Sequence, residues 1–175
     1  PLFNAIDVAI SWMKDDQDIR VIFPSPGGEK WNQQAAEKLS KKNKIILICG
    51  HYKGIDERVI ENYVTDQYSI GDYVMTNGEI PAMIIIDTIA RIIPGALNNL
   101  QSVLNDTFSS DLLDHPHYTS PREYREKFVP DILLSGNHKN IDQWRLNHRE
   151  TRTLSYRPDL WEKYKKIKES EKNNE

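Results

Sequence analysis

The stretch SIGDYVMTNGEIPAM, residues 69–83, decides the fold. An Asn77-Gly78 pair between apolar segments is typical of a two-residue hairpin turn, after which a second strand is expected. The segment that follows, PAMIIIDTIARII, does not have the character of a strand, because Pro81 cannot donate a ladder hydrogen bond and the apolar run is too long. We therefore interpret residues 69–93 as the end of a strand, a glycine-containing loop and a helix.

The same order occurs twice earlier in the chain. IRVIF, residues 19–23, precedes the predicted loop PSPGG and a helical pattern over residues 31–42. KIILIC, residues 44–49, is a continuous apolar run of the kind found in strands covered on both faces, and it precedes a second glycine loop and helix. Repeated strand-loop-helix order predicts a parallel sheet in an α/β domain.

Three glycine-bearing loops, PSPGG, GHYKG and TNGEIP, follow the three predicted strands. Ligands of open parallel sheets bind outside the carboxyl ends of the strands, where loops and helix N-termini supply unpaired backbone N–H groups. Neither GxGxxG nor GxxxxGK[ST] occurs in the sequence, so a nucleotide held through its phosphates is not supported. The loops predict a site for a ligand without a critical phosphate, although any one of them could serve only as a tight turn.

Composition narrows the class of protein. The chain has 175 residues, and its single cysteine cannot form an internal disulfide, so a reducing cytoplasm is expected, with Cys49 in the core. No apolar run approaches the ~20 residues of a membrane helix and no signal peptide is evident, so no membrane partner is expected. The chain starts at Pro1, within a helical pattern, which we interpret as a missing natural N-terminus.

The C-terminal part differs in composition and charge. After Pro94-Gly95 the sequence becomes rich in Asn, Ser and Asp, which predicts a linker that orders on binding. A second region starts near residue 112 and leads to a predicted helix around residues 141–152 and a last helix over residues 159–170. Residues 138–168 carry nine Lys or Arg and four Asp or Glu, a local charge of +5 in a chain of net charge −3. Arg145, Arg149 and Arg152 share one helix face. Such a charged face is usually only solvated, and it is the location of the three arginines in this +5 segment that raises the odds of a phosphate backbone as partner.

Several polar residues have competing interpretations. Asp87 and Arg91 lie four residues apart on an otherwise apolar helix. They could form an intrahelical ion pair, or they could be directed at a substrate pocket or a partner subunit. Asp106 is either a turn or N-cap residue or a carboxylate delivered to a substrate by the linker. His115 and His117 lack a third ligand in the sequence pattern, so no metal site is predicted.

Four segments carry a family resemblance: ICGHYKGIDERV, SIGDYVMTNGEIPAMIIIDTIARIIPG, NDTF with LLDHPHYTSP, and VPDILLSGNHKNIDQWR. In this order they resemble the bacterial tRNA (guanine-N1)-methyltransferases of the SPOUT class. The resemblance implies a parallel sheet with a deep trefoil knot, lacking its N-terminal part, over residues 1–97. It further implies a flexible linker over residues 98–111 and a small α-helical tRNA-binding domain over residues 112–175.

The resemblance also implies an activity, a cofactor and partners. The expected reaction is methyl transfer from S-adenosyl-L-methionine to N1 of the guanosine immediately 3′ of the anticodon. The expected assembly is a cytoplasmic homodimer with its active site at the interface and the tRNA anticodon stem-loop, not DNA, as partner. The open alternatives are a non-catalytic RNA-binding or dimerisation fragment of the same fold and a related RNA ribose 2′-O-methyltransferase.

Residue roles follow by matching motifs. Asp106 would be the catalytic base, Arg91 the active-site arginine, and Arg145, Arg149 and Arg152 the RNA-binding residues. The chain departs from the common family pattern at His51 and Lys53, where Arg and Glu are frequent. The implied cofactor-binding residues are Phe23, Ser25, Pro26, Gly50, Tyr52, Ile70, Gly71, Tyr73, Met75, Gly78 and Pro81.

Overall fold

A computed structural model describes residues 1–13, 18–96, 107–108 and 111–172. The chain divides into two compact units, residues 1–100 and residues 101–175. The predicted linker over 98–111 lies mostly outside the described residues, and its boundaries stay a prediction. Within the described residues, no helix is both long and apolar enough to cross a membrane.

The first unit alternates helices and strands around a parallel sheet. Its elements are α1 Leu2–Trp12, β1 Ile19–Lys30, α2 Gln33–Leu39, β2 Lys44–Leu47, α3 Glu57–Tyr63, β3 Asp66–Ser69 and α4 Glu79–Ala90. The strand order is β2-β1-β3, and β1 pairs with both neighbours in parallel. The predicted α/β class and parallel sheet are confirmed, and the trefoil knot stays a prediction.

Helices cover both faces of the central strand. Because side chains alternate along a strand, Val21 and Phe23 point to one face of β1 and Ile22 to the other, and all three are buried. Val21 and Phe23 pack with Ile6 of α1 and Val59 of α3. On the other face, Ile22 belongs to a cluster with residues of α2, β3 and α4: Ala36, Leu39, Tyr68, Ile85 and Ile89.

The PSPGG segment was predicted as a loop, but it is part of β1. Pro24 and Glu29 both pair with Tyr68, so the residues between them form an extended bulge in the strand. The following helix begins at Gln33 rather than at residue 31, because the Asn32 side chain accepts a hydrogen bond from the Ala35 N–H at 2.9 Å and caps it.

Cys49 was expected in the core, and the structure shows that this was wrong. β2 ends at Leu47, Ile48 is the last buried residue of the apolar run, and Cys49 is exposed in the loop that follows. The apolar run KIILIC therefore predicted the strand correctly, but the run continues two residues beyond the end of β2.

The bulge depends on a close backbone approach at Gly28. A Cβ at Gly28 would lie 2.5 Å from both the carbonyl carbon of Gln67 and the amide nitrogen of Tyr68 in β3. We expect Gly28→Ala to lower the free energy of unfolding by at least about 2 kcal/mol, since backbone atoms of a paired strand cannot move aside cheaply. Denaturant unfolding would measure this change.

The neighbouring glycine supplies a matched control. A Cβ at Gly27 would meet only the Ser25 Oγ, at 3.9 Å, so Gly27→Ala should leave the free energy of unfolding within about 0.5 kcal/mol of that of the unsubstituted chain. Equal destabilisation by the two substitutions would contradict the proposed close approach.

The second unit is mainly helical. Its elements are the antiparallel strands β4 Glu123–Tyr124 and β5 Lys127–Phe128, then α5 Asp131–Leu134, α6 His138–Tyr156 and α7 Pro158–Lys172. Buried Thr153 of α6 accepts a hydrogen bond from the Leu113 N–H at 2.8 Å, so the segment that contains Leu113 is fixed on α6. The predicted helices are present, whereas the short hairpin was not predicted because its turn residues, Arg125 and Glu126, adopt positive φ without a glycine.

Candidate active site

A cavity of about 460 Å³ opens where the three predicted glycine segments meet, in the first unit. Every residue that the family resemblance assigned to the cofactor lines it. Phe23, Ser25 and Pro26 come from β1 and its bulge, Gly50 and Tyr52 from the loop after β2, Ile70, Gly71, Tyr73, Met75 and Gly78 from the segment between β3 and α4, and Pro81 from the first turn of α4. The structure thus brings these residues together, and their role in binding stays a prediction.

The position of the cavity follows from the strand order. β1 is central, and the chain passes to β2 on one side of it and later to β3 on the other. Loops that leave the carboxyl ends of β2 and β3 therefore diverge around the end of β1. This is the topological switch point of an open parallel sheet, where such sheets bind ligands.

Backbone contacts join the second and third loops. The Gly78 N–H donates a hydrogen bond to the Gly50 carbonyl at 2.8 Å, and His51 forms an isolated antiparallel bridge with Asn77. A Cβ at Gly78 would lie 2.7 Å from the Gly50 nitrogen and 3.0 Å from the Cα of Cys49. The absence of a side chain at Gly78 is what lets the two loops touch, and it leaves their backbone groups along the cavity wall.

A side-chain contact reinforces this junction. His51 Nε2 lies 2.8 Å from Oε1 of Glu79, the first residue of α4. The second carboxylate oxygen of Glu79 is buried without a hydrogen-bond partner among the described residues. In the sequence His51 stands out only as a departure from a family pattern, and its link to Glu79 could not be predicted because no local spacing connects residues 28 positions apart.

Tyr52, which lines the cavity, and Cys49, which precedes the lining residue Gly50, differ from ordinary loop residues in backbone conformation and in pKa, respectively. Tyr52 has a positive φ of 60°, uncommon for a residue other than glycine, and its residue surface is 99% exposed. Partial burial, and then the nearby Glu79 carboxylate, raise the pKa of the Cys49 thiol. Cys49 is thus kept as a thiol near neutral pH and is not set up as a nucleophile.

The structure gives α4 two different faces. Pro81, Ala82, Ile85 and Ile89 are buried in the unit, whereas Ile80, Met83, Ile84 and Ile86 are exposed. An apolar helix of this kind is normally buried all round, in a core or at a subunit interface, but within one chain only one face of α4 is covered.

Arg91 lies at the far end of α4 from the cavity. It is the C-cap residue, whereas Gly78 at the cavity is the N-cap residue of the same helix. Thirteen positions at 1.5 Å per residue separate their backbones by about 20 Å. Arg91 therefore does not reach the cavity of its own chain, and the structure does not bring these two predicted parts of the site together. Asp106 lies outside the described residues, so its predicted role remains a prediction.

In the second unit, the three arginines predicted to bind RNA lie on α6 in different surroundings. Arg145 is exposed and pairs with Asp142 at 3.2 Å, and exposed Arg152 lies over the Tyr156 ring. Arg149 is half-buried, and its Nε donates to the Leu113 carbonyl at 3.4 Å. Arg149 thus has a structural contact that helical spacing alone did not predict.

A cluster of Asp114, His115 and His117 also lies in this unit. Burial raises the pKa of the Asp114 carboxyl, but the hydrogen bonds from His117 and the His115 N–H and the adjacent imidazoles together bring it below its usual value. The sequence pattern singled out the two histidines, whereas the contact of Asp114 with them became evident only from the structure.

Known protein families and relatives match the first unit and most of the second. The family model described as tRNA (Guanine-1)-methyltransferase TrmD matches residues 1–163, nearly the whole chain. The chain belongs to this family. The family resemblance drawn from the four sequence segments is therefore confirmed.

Individual relatives agree with the tRNA (guanine-1)-methyltransferase family. The chain is 52% identical over 147 residues to a protein of Lachnospira eligens, covering 84% of the chain and 62% of that relative. It is 48% identical to a protein of Anoxybacillus flavithermus and 45% identical to one of Bacillus cereus, each over 172 residues, which are 98% of the chain and 69% and 70% of those relatives. All three carry the name tRNA (guanine-N(1)-)-methyltransferase. The chain thus spans about two thirds of the length of the curated relatives it matches.

Proposed function

We propose that this member of the tRNA (guanine-1)-methyltransferase family transfers a methyl group from S-adenosyl-L-methionine to N1 of the guanosine immediately 3′ of the anticodon in tRNA. The observation that carries the proposal is the cavity at the switch point, lined by all the residues matched to the family's cofactor site. The names of the relatives supply the reaction class, and a cytoplasmic location is part of the proposal.

The cavity suits a ligand of this size and chemistry. Its volume of about 460 Å³ lies within the ~300–1,000 Å³ typical of small-molecule sites. Phe23 and Pro81 supply apolar surface, and Gly50 and Gly78 of the joined loops bring backbone without a side chain to the cavity wall, where a purine could approach closely. No phosphate-binding glycine motif is present, in keeping with a nucleoside that carries no phosphate.

The proposed chemistry divides between cofactor and protein. When bound, S-adenosylmethionine supplies a sulfonium methyl group that is open to attack by a nitrogen lone pair. The Asp106 carboxylate accepts the proton from guanine N1, which frees that lone pair, and a positioned base of this kind contributes ~10²–10⁴ in rate. Arg91, with its fixed positive charge, stabilises the negative charge that develops on guanine O6.

The distance of Arg91 from the cavity calls for a second subunit. About 20 Å of helix separates Arg91 from Gly78, so the Arg91 that serves a given cavity must come from another copy of the chain. The exposed face of α4 suits such an interface, because Ile80, Met83 and Ile86 are each more than half exposed within one chain. Contiguous exposed apolar residues of this kind mark interaction surfaces.

We expect Ile86→Glu to convert a dimer into a monomer. The substitution places a charge in the middle of the apolar face, while the single chain keeps its fold because this side chain is 53% exposed there. Analytical ultracentrifugation should give twice the chain mass of 20.4 kDa before the substitution and the chain mass after it. Ile167→Glu on α7, where the residue is 46% exposed, is the matched control and should remain dimeric. Dissociation by both substitutions, or by neither, would contradict an α4 interface.

The helical unit is proposed to hold the anticodon stem. Arg145 and Arg152 are exposed on α6 and available to phosphates, and α6 and α7 carry most of the +5 charge of residues 138–168. Arg149 is assigned a supporting role in this proposal, since its guanidinium already contacts the Leu113 carbonyl.

The direct test is a methylation assay of the complete gene product. It would be incubated with S-adenosylmethionine labelled in the methyl group and two tRNA transcripts that differ only in having G or A immediately 3′ of the anticodon. We expect label in the G transcript alone, recovered as N1-methylguanosine after nuclease digestion. Label recovered as a 2′-O-methylnucleoside would overturn the substrate assignment, and saturable RNA binding without label would indicate a non-catalytic module.

A further inference from the structure

The segment after the predicted linker places three potential metal ligands together. The nitrogen and oxygen atoms that Asp114, His115 and His117 can offer all lie within 4.8 Å of one another. We propose that these residues form a binding site for a divalent transition-metal ion of the zinc type. The proposal goes beyond methyl transfer and does not depend on it.

The tautomer of His115 follows from its hydrogen bond. Its Nδ1 lies 3.1 Å from the Pro116 carbonyl oxygen, and because a carbonyl can only accept, Nδ1 must carry a proton. In the neutral ring the lone pair is then on Nε2. A backbone carbonyl that orients an imidazole through its other nitrogen is the arrangement usual for histidines that bind metals.

The lone pair of His115 faces another acceptor. His115 Nε2 lies 3.8 Å from the Asp114 Oδ1, which is too far for a hydrogen bond. Because Nε2 carries no proton in this neutral tautomer, both atoms present a lone pair to the space between them. Two ligands bound to zinc at ~2.0–2.2 Å with a tetrahedral angle lie about 3.4 Å apart. A shift of a few tenths of an ångström would therefore let one cation bridge both atoms.

His117 completes a three-ligand set. Its Nε2 lies 2.8 Å from the Asp114 Oδ2, and the His115 and His117 rings are 4.5 Å apart between centroids. A metal bound through Nε2 would take the place of the proton shared with Asp114, and that proton would leave to solvent. Two imidazoles and one carboxylate are a recognised ligand set for zinc, with the fourth coordination position left open.

The backbone around the cluster is held in place. The Asp114 N–H donates to Thr107 Oγ1 at 3.2 Å, and the adjacent Leu113 is bound through both its N–H and its carbonyl to residues of α6. The His115 side chain is only 17% exposed, and its ring packs edge-on against Trp144. Asp114 and His115 are therefore largely positioned before any ion binds, which lowers the entropic cost of binding, whereas the His117 side chain is 69% exposed and is oriented by its contact with Asp114.

The experiment is a calorimetric titration of the chelator-treated, full-length chain with ZnCl₂, followed by CoCl₂ with visible absorption. We expect one ion per chain and the ligand-field absorption of low-symmetry Co²⁺. His115→Gln and Asp114→Asn should each lower the zinc affinity at least tenfold, because each removes a ligand. Circular dichroism of each variant would show whether it is folded, so a loss of affinity caused by misfolding of one variant can be recognised.

A matched control separates this site from adventitious histidine binding. His138 is exposed at the start of α6, so His138→Gln should bind zinc with unchanged affinity and stoichiometry. Absence of saturable binding, or binding unaffected by His115→Gln, would overturn the proposal. Neither outcome would bear on methyl transfer, which the labelled-methyl assay measures separately.

Discussion

Replacement of Asp106 by Asn is expected to lower kcat for methyl transfer by ~10²–10⁴, since the substitution removes the proposed acceptor of the guanine N1 proton. This corresponds to about 3 to 5 kcal/mol of transition-state stabilisation. Affinity for S-adenosylmethionine should change little, because the matched cofactor residues all lie in the first unit. Single-turnover kinetics with tRNA and the complete gene product would isolate the chemical step.

Asp111→Asn is the matched control for this prediction. It makes the same chemical change within the predicted linker, and Asp111 has a φ of 54°, a conformation that Asn adopts as readily as Asp. Its rate should stay within about twofold of the unsubstituted enzyme. If Asp106→Asn retained full single-turnover activity, Asp106 would not be the base, and the motif match would have assigned the wrong carboxylate.

Gly78→Ala is expected to weaken binding of S-adenosylmethionine at least tenfold, or by about 1.4 kcal/mol. The added methyl group would lie 2.7 Å from the Gly50 nitrogen and 3.0 Å from the Cys49 Cα, and both neighbours are backbone atoms. The two loops must then separate, which breaks the 2.8 Å hydrogen bond between the Gly78 N–H and the Gly50 carbonyl. Calorimetric titration with S-adenosylmethionine measures the loss directly.

Gly27→Ala serves as the comparison for the cofactor titration. It adds the same methyl group to the bulge of β1, where only a distant contact with Ser25 exists, and Gly27 does not line the cavity. Cofactor affinity should be unchanged. If Gly78→Ala bound the cofactor as well as Gly27→Ala does, the contact between the loops would not be what shapes the site.

The parallel sheet and its binding edge could be predicted from the sequence. Apolar runs such as IRVIF and KIILIC are readable because side chains on both faces of these strands pack against other elements, and the glycines after KIILIC and before α4 mark two of the three predicted loops. The stretch around Asn77-Gly78 was interpreted correctly because Pro81 is incompatible with a central strand. These are local rules, and they hold for the elements that position the cavity.

Features that depend on contacts between distant segments could not be predicted. The bulge over PSPGG depends on the close approach of Gly28 to the backbone of β3. A glycine-rich segment in a loop would have the same sequence pattern, so the bulge could not be distinguished from a loop. The two faces of α4 have similar composition, so only packing distinguishes buried Ile85 from exposed Ile86. Arg91 was assigned by motif, and its distance from the cavity in a single chain became evident only from the structure.

The proposed function requires that the cavity between the bulge of β1 and the two joined loops holds the methyl donor. A crystal structure of the protein with saturating S-adenosylmethionine would show where the donor binds. We expect the donor inside this cavity, with its adenine against the backbone of Gly50 and Gly78 and apolar contact from Pro81. Donor density at any other surface, with this cavity left to solvent, would contradict it.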